Sequence, residues 1–158
     1  MRVTRTGTGL TVAITAVLGL SLATAGPAAA TDAGTWRAYG NTNPITSSSA
    51  TWHCAGSKTV ATSVLAQVCA IRSSGGGTVQ AAVIVRNNRS SLFSAAAGMD
   101  LYAAATATKL GDWACSSSGI GANSWSVCFG KTFSKSSSEK VNSVGYAGSI
   151  NLGQSPDV

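Results

Sequence analysis

Hydrophobic positions along this chain fall into short alternating runs separated by polar turns. The clearest run is TVQAAVIV at 78–85, where Val79, Ala81, Val83 and Val85 alternate with Gln80, Ala82 and Ile84. Alternation of period two sends successive side chains to opposite faces of a strand. The preceding run has the same form, with Val64, Ala66 and Val68 on one face and Leu65, Gln67, Cys69 and Ile71 on the other. Between them, Arg72-Ser-Ser-Gly-Gly-Gly77 predicts a break, and Arg86-Asn-Asn-Arg89 predicts a turn because Asn tolerates positive φ. The stretch SLFSAAAGMDLYAAATAT at 91–108 has the alanine content of a helix, but propensity is a weak guide and Gly98 interrupts it. Among strands, it predicts two more, Leu92–Ala95 and Met99–Ala104. A polar turn at Ser136–Ser138 lies between further short strands. The spacing of these elements predicts an all-β fold, a small antiparallel sandwich or barrel.

Two segments share a pattern. TWHCAGSKTVATSVLAQVCAI at 51–71 and DWACSSSGIGANSWSVCFG at 112–130 both run Trp-x-Cys, a small-residue interval and Val-Cys, and together they hold all four cysteines. Their intervals differ by two residues, so matched side chains keep their faces. This predicts a repeated hairpin closed by Cys54–Cys69 in one copy and Cys115–Cys128 in the other. It is one of three connectivities that four cysteines allow. Trp52 and Trp113 then fill space beside the disulfides. A zinc site is disfavoured: no CxxC pair exists, and His53 is adjacent to Cys54 and therefore points to the opposite strand face.

The ends of the chain read differently. Arg2 and Arg5, the apolar run Leu10–Ala23 and Ala28-Ala29-Ala30 predict a secretory signal peptide over 1–30, and hence an exported protein that does not insert into a membrane. Residues 31–50, TDAGTWRAYGNTNPITSSSA, predict an extended N-terminal arm ahead of a single β domain at 51–158. The large aromatics in this polar segment either fold back over the body or anchor a partner. The candidate partner-binding residues are Trp36, Arg37, Tyr39, Asn41, Pro44 and Ile45.

Charge changes this picture little. Loss of Arg2 and Arg5 with the leader lowers the formal charge from +6 to +4, and the remaining charges are scattered. Without a basic cluster, nucleic-acid binding is not expected. The chemistry is sparse: one histidine, five acidic residues, no G-x-S-x-G, H-E-x-x-H or P-loop. Gly119-Ile-Gly121-Ala-Asn-Ser124 is half of a dinucleotide fingerprint and reads as a hairpin tip. Neither enzymatic activity, a cofactor nor a metal is expected.

The leader, the arm WRAYGNTNPITSSSA and the two-disulfide body from Trp52 to Leu152 together resemble small exported β proteins of actinobacteria, peptidase inhibitors and antimicrobial proteins among them. The layout is also similar to the small adaptor subunit of umbrella toxin particles. That resemblance implies a compact domain whose N-terminal segment docks to other secreted proteins within an extracellular toxin complex. The alternative is a peptidase inhibitor or antimicrobial toxin acting through the disulfide-bounded loop Ser116–Ser126.

Overall fold

The alternating runs become the centre of one of two sheets. The computed structural model describes residues 31–158, so the predicted signal peptide over 1–30 lies outside the described residues. The strands are β1 (Asp32–Ala33), β2 (Thr35–Gly40), β3 (Thr51–Cys54), β4 (Lys58–Ala61), β5 (Val64–Arg72) and β6 (Thr78–Asn87). They continue with β7 (Phe93–Ala103), β8 (Thr108–Ile120), β9 (Ser124–Phe129), β10 (Phe133–Ser134), β11 (Val141–Ala147) and β12 (Ile150–Gln154). One sheet has the order β1-β8-β7-β11-β12. The other runs β2-β9-β6-β5-β3, with β10 extending the β6 ladder and β4 that of β5. All pairs are antiparallel except the short β1–β8 pair. The chain is therefore the expected all-β sandwich.

Val64, Ala66, Val68 and Ala70 of β5, with Val79, Ala81, Val83 and Val85 of β6, face the five-stranded sheet. Opposite them stand Ala95, Ala97, Met99 and Leu101 of β7, Trp113 of β8 and Leu152 of β12. The other face of β5 and β6 is apolar too. Cys69, Ile71, Ala82, Ile84 and Val127 form a second buried cluster on the outside of the seven-stranded sheet. A strand buried on both faces loses its polar alternation, which is why TVQAAVIV contains a continuous apolar run.

The predicted strands Leu92–Ala95 and Met99–Ala104 are a single strand, β7, running through Gly98. The glycine marks a close approach. A Cβ there would run into the ring of Tyr146, the residue paired with Gly98 on β11. A glycine that breaks a helix can thus be a seat for a cross-strand aromatic.

Residues 32–40 are extended, as expected of an arm, but they are hydrogen-bonded into the body. β1 adds to the edge of the five-stranded sheet and β2 to the edge of the other. Between them Gly34 passes directly over the Cys115–Cys128 disulfide; its added Cβ would meet Cys115 Sγ at 2.8 Å and Cys128 Sγ at 3.1 Å. β2 and β3 then lie at opposite edges of one sheet. Four interstrand spacings separate them, ~19 Å at ~4.8 Å each. Residues 41–50 cover that distance across the outer face, with Pro44 buried and Ile45 and Ala50 packed on the second apolar cluster.

Both predicted disulfides are present, and their settings differ. Cys54 and Cys69 are direct cross-strand partners within one sheet, with Cα atoms 4.0 Å apart. Cys115 lies on β8 and Cys128 on β9, so the second bond joins the two sheets across a Cα separation of 6.1 Å. The expectation of two equivalent hairpins is corrected accordingly. Face parity survives in both copies, but the second one turns a corner between sheets at 121–123.

Candidate functional site

The six arm residues singled out by sequence divide by the pleat of β2. Trp36 pairs with Cys128 and turns inward, where it packs on the main core and its Nε1–H donates to the Ser116 carbonyl at 2.8 Å. Arg37 pairs with Val127 and turns outward. A register shift follows between Ala38 and Gly40, and Gly40 adopts φ +54°. This irregularity leaves Tyr39 on the outer apolar cluster. Asn41 is exposed just beyond the strand, while Pro44 is buried beneath the crossing segment and Ile45 half-buried beside it. Asn43 fastens that crossing by accepting the Ile45 N–H on its Oδ1 at 2.9 Å. Trp36 and Pro44 therefore serve the protein's own fold, whereas Arg37, Tyr39 and Asn41 reach the surface.

Next to them lie Trp125, which the sequence places in the alternative reading's loop Ser116–Ser126, and Arg86, which the sequence reading assigned to no site. The Arg37 guanidinium sits over the Tyr39 ring at 5.3 Å, and the Arg86 guanidinium over the Trp125 ring at 5.2 Å. Trp125 on β9 pairs with Gly40 on one side and Arg86 on the other, so the two cation-aromatic pairs occupy three neighbouring strands. Trp52 meets Phe129 edge to face at 6.0 Å on the same outer face. Beside Trp125, a small hollow of about 40 Å³ is bounded by Leu65, Gln67, Ile84 and Arg86. The signal for this surface was present: Trp125, Val127 and Phe129 alternate with Ser124, Ser126 and Cys128. What hid it was that the polar face of β9 points inward and the apolar face outward.

The geometry holds these groups still. Arg86 donates from Nε to Asn88 Oδ1 at 2.7 Å and from Nη1 to the Asn123 carbonyl at 2.7 Å. Asn87, fully buried, directs its amide at the carbonyls of Ser91, Ile120 and Gly121. The corner at 121–123 is thus tied to the end of β6 and does not project as a free loop.

Several ionisable groups elsewhere are held by hydrogen bonds or ion pairs. His53 Nδ1 meets the main-chain oxygen of Asp157. Glu139 accepts from Lys135 at 3.0 Å and from the Ser136 N–H at 3.0 Å; the lysine contact first, then the backbone one, hold its carboxyl below the ordinary value. Asp100 and Asp112 face each other across β7 and β8. Lys109 lies 2.6 Å from Asp112 and 3.7 Å from Asp100. The Tyr102 hydroxyl donates to Asp100 at 2.9 Å, which raises the phenol's pKa. The hydrogen bond to Asp112 likewise raises that of Lys109. Among the described residues, no three His, Cys, Asp or Glu side chains gather as metal ligands, and no helix is long and apolar enough to cross a membrane. The two disulfides fit an oxidising compartment. No protein-family model, curated protein or solved structure matches this chain.

Proposed function

We propose that this protein is an exported, non-enzymatic binding module, an adaptor that holds a larger exported protein against the outer face of its seven-stranded sheet. The observation that carries this reading is the pairing of Arg37 with Tyr39 and Arg86 with Trp125 on adjacent strands. Arg, Tyr and Trp are the side chains that dominate binding hot spots, and here their geometry is set before binding, so little freedom remains to be lost. The N-terminal segment takes part by supplying Arg37 and Tyr39 from an ordered edge strand. Similarity of layout to toxin-particle adaptors supplies the class of partner, a large secreted subunit.

Affinity purification from culture supernatant tests this, using tagged protein and the double variant Arg37→Ala/Trp125→Ala. The expected result is a stoichiometric large secreted protein with the parent chain and none with the variant. Equal capture by both would overturn the assignment of this face. Recovery of a peptidase in place of a structural partner would favour the inhibitor reading. That reading has less to work with, because the Ser116–Ser126 interval is mostly strand and its turn is confined to 121–123.

A further inference from the structure

The outer face of the five-stranded sheet has a different chemistry. Two adjoining hollows lie along β11. One, of about 140 Å³, is bounded by Asp100, Tyr146 and Asn151; the other, of about 290 Å³, by Tyr102, Asn142 and Gln154. Val144 borders both, so they form one interrupted trough. Tyr146 lies across Gly98 and is 45% exposed, which leaves the ring face turned away from the sheet open. Gly98 and Tyr102 are four residues apart on β7, so the two tyrosines mark points ~13 Å apart along the strand direction. Asp100 stands between them.

This combination suits a sugar chain better than a protein. A pyranose ring presents an apolar C–H face, which an open tyrosine ring accepts, and a rim of hydroxyls that carboxylates and amides satisfy as both acceptors and donors. The strands of this sheet contain no arginine, and their one tryptophan, Trp113, is buried in the core. The arginine and surface tryptophan of the opposite face are therefore missing here, and tyrosine alone is shared. Two carboxylates, Asp100 and Asp112, share a single lysine. Lys58, whose Nζ donates to the Asn151 carbonyl at 3.0 Å, balances the second carboxylate from the other side of the trough, so these charges favour neither a polyanion nor a polycation. We infer that the trough over β11 binds a neutral pyranose oligosaccharide, one ring resting on Tyr146, a second reaching Tyr102, and Asp100 accepting hydroxyl hydrogen bonds between them.

The test uses the disulfide-bonded protein purified from culture supernatant. It is incubated with insoluble chitin, cellulose and peptidoglycan, and titrated with chitohexaose and cellohexaose. Retention on at least one polymer, competed by the matching hexasaccharide and weakened at least tenfold by Tyr146→Ala, is the expected result. Because Tyr146 also covers Gly98, Gln154→Ala provides a second variant. Its exposed side chain makes no hydrogen bond among the described residues, and its loss is expected to weaken binding severalfold. Trp125→Ala, on the opposite face, is expected to leave retention unchanged. The assignment is overturned by absence of binding to all five materials, by binding that neither trough variant alters, or by retention that high salt abolishes.

Discussion

The two Trp-x-Cys segments share a spelling and a parity, yet one closes its disulfide inside a sheet and the other between sheets. At Cys54–Cys69 the ladder of β3 and β5 already holds the two residues side by side, and Trp52 lies half-buried on the outer face against Phe129. At Cys115–Cys128 the bond crosses the sandwich, and Trp113, 1% exposed, sits in the core between Gly111 and Gly130, with Phe133 at 5.7 Å. Neither indole N–H has a protein hydrogen-bond acceptor. A motif in sequence thus specifies that the tryptophan and its cysteine share a face, but neither which face that is nor the layer to which the bonded partner belongs. The physical reach of the two copies is consequently unequal.

Truncating the tryptophans should separate the copies most sharply. Trp113→Ala is expected to cost about 3–5 kcal/mol, the usual range for emptying a core aromatic site. Trp52→Ala, whose ring stays partly wet, is expected to cost about 1–2 kcal/mol by the area it covers. Urea unfolding would measure both, and equal losses would mean that the two sites are equally buried in solution.

Removing the disulfides is the next step down. Their sequence separations of 15 and 13 residues make the chain-entropy contributions nearly identical, about 3 kcal/mol each. Any difference between Cys54→Ala/Cys69→Ala and Cys115→Ala/Cys128→Ala then reports on the native state. The inter-sheet pair should lose about 1 kcal/mol more, because Cys115 and Cys128 are both buried in the core and their removal leaves a void. Identical midpoints with identical slopes would assign both effects to the unfolded chain.

Gly34→Ala probes the same asymmetry from outside. The new methyl would press on both sulfurs of the inter-sheet bond and on the Phe129 carbonyl at 3.1 Å, costing about 1–3 kcal/mol by overpacking. In the Cys115→Ala/Cys128→Ala background the crowding is relieved, so the penalty should shrink. A penalty unchanged in that background would place its origin in the backbone of β1 and β2 instead.

The smallest effect is electrostatic and lies outside both modules. Glu139 has its pKa lowered in the folded protein, so its contribution is present at neutral pH and is lost as pH falls through that lowered value. Glu139→Gln should therefore flatten the acid limb of the stability curve below about pH 4.5, by equal amounts in the Trp52 and Trp113 variants. Unequal flattening would show that one module is coupled to the Lys135–Glu139 turn.

The central strands were legible in the sequence because Val64–Ile71 and Val79–Val85 are Val/Ile-rich apolar runs of strand length bounded by Gly and Asn turns, the form taken by strands buried on both faces. Disulfide pairing was legible because the repeat restricted the choice. Three features were not. The layer change between Cys115 and Cys128 leaves parity intact and so leaves no mark. Gly98 reads as a break unless Tyr146, forty-eight positions later, is known to cover it. The arm was read as separate from the body because its composition is polar, whereas β1 and β2 are held mainly by backbone hydrogen bonds, which composition does not record. The candidate surfaces were half legible: Arg37 and Tyr39 stood out as unexplained in a polar segment, but Arg86 and Trp125 join them only through the β2-β9-β6 strand order.

The path of the N-terminal segment sets an order of events. β1 and β2 find their partners in β8 and β9, and Trp36 closes on Ser116, 80 residues away. Such distant pairing loses loop entropy before it gains contacts, and topologies built on it fold slowly. For a chain that leaves a ribosome or an export channel N-terminus first, the earliest strands to emerge are the last to be placed. Until residues 108–129 have followed, nothing exists for them to pair with, and the crossing segment at 41–50 has no far edge to span. The sandwich is thereby expected to close only once nearly all of the chain is available.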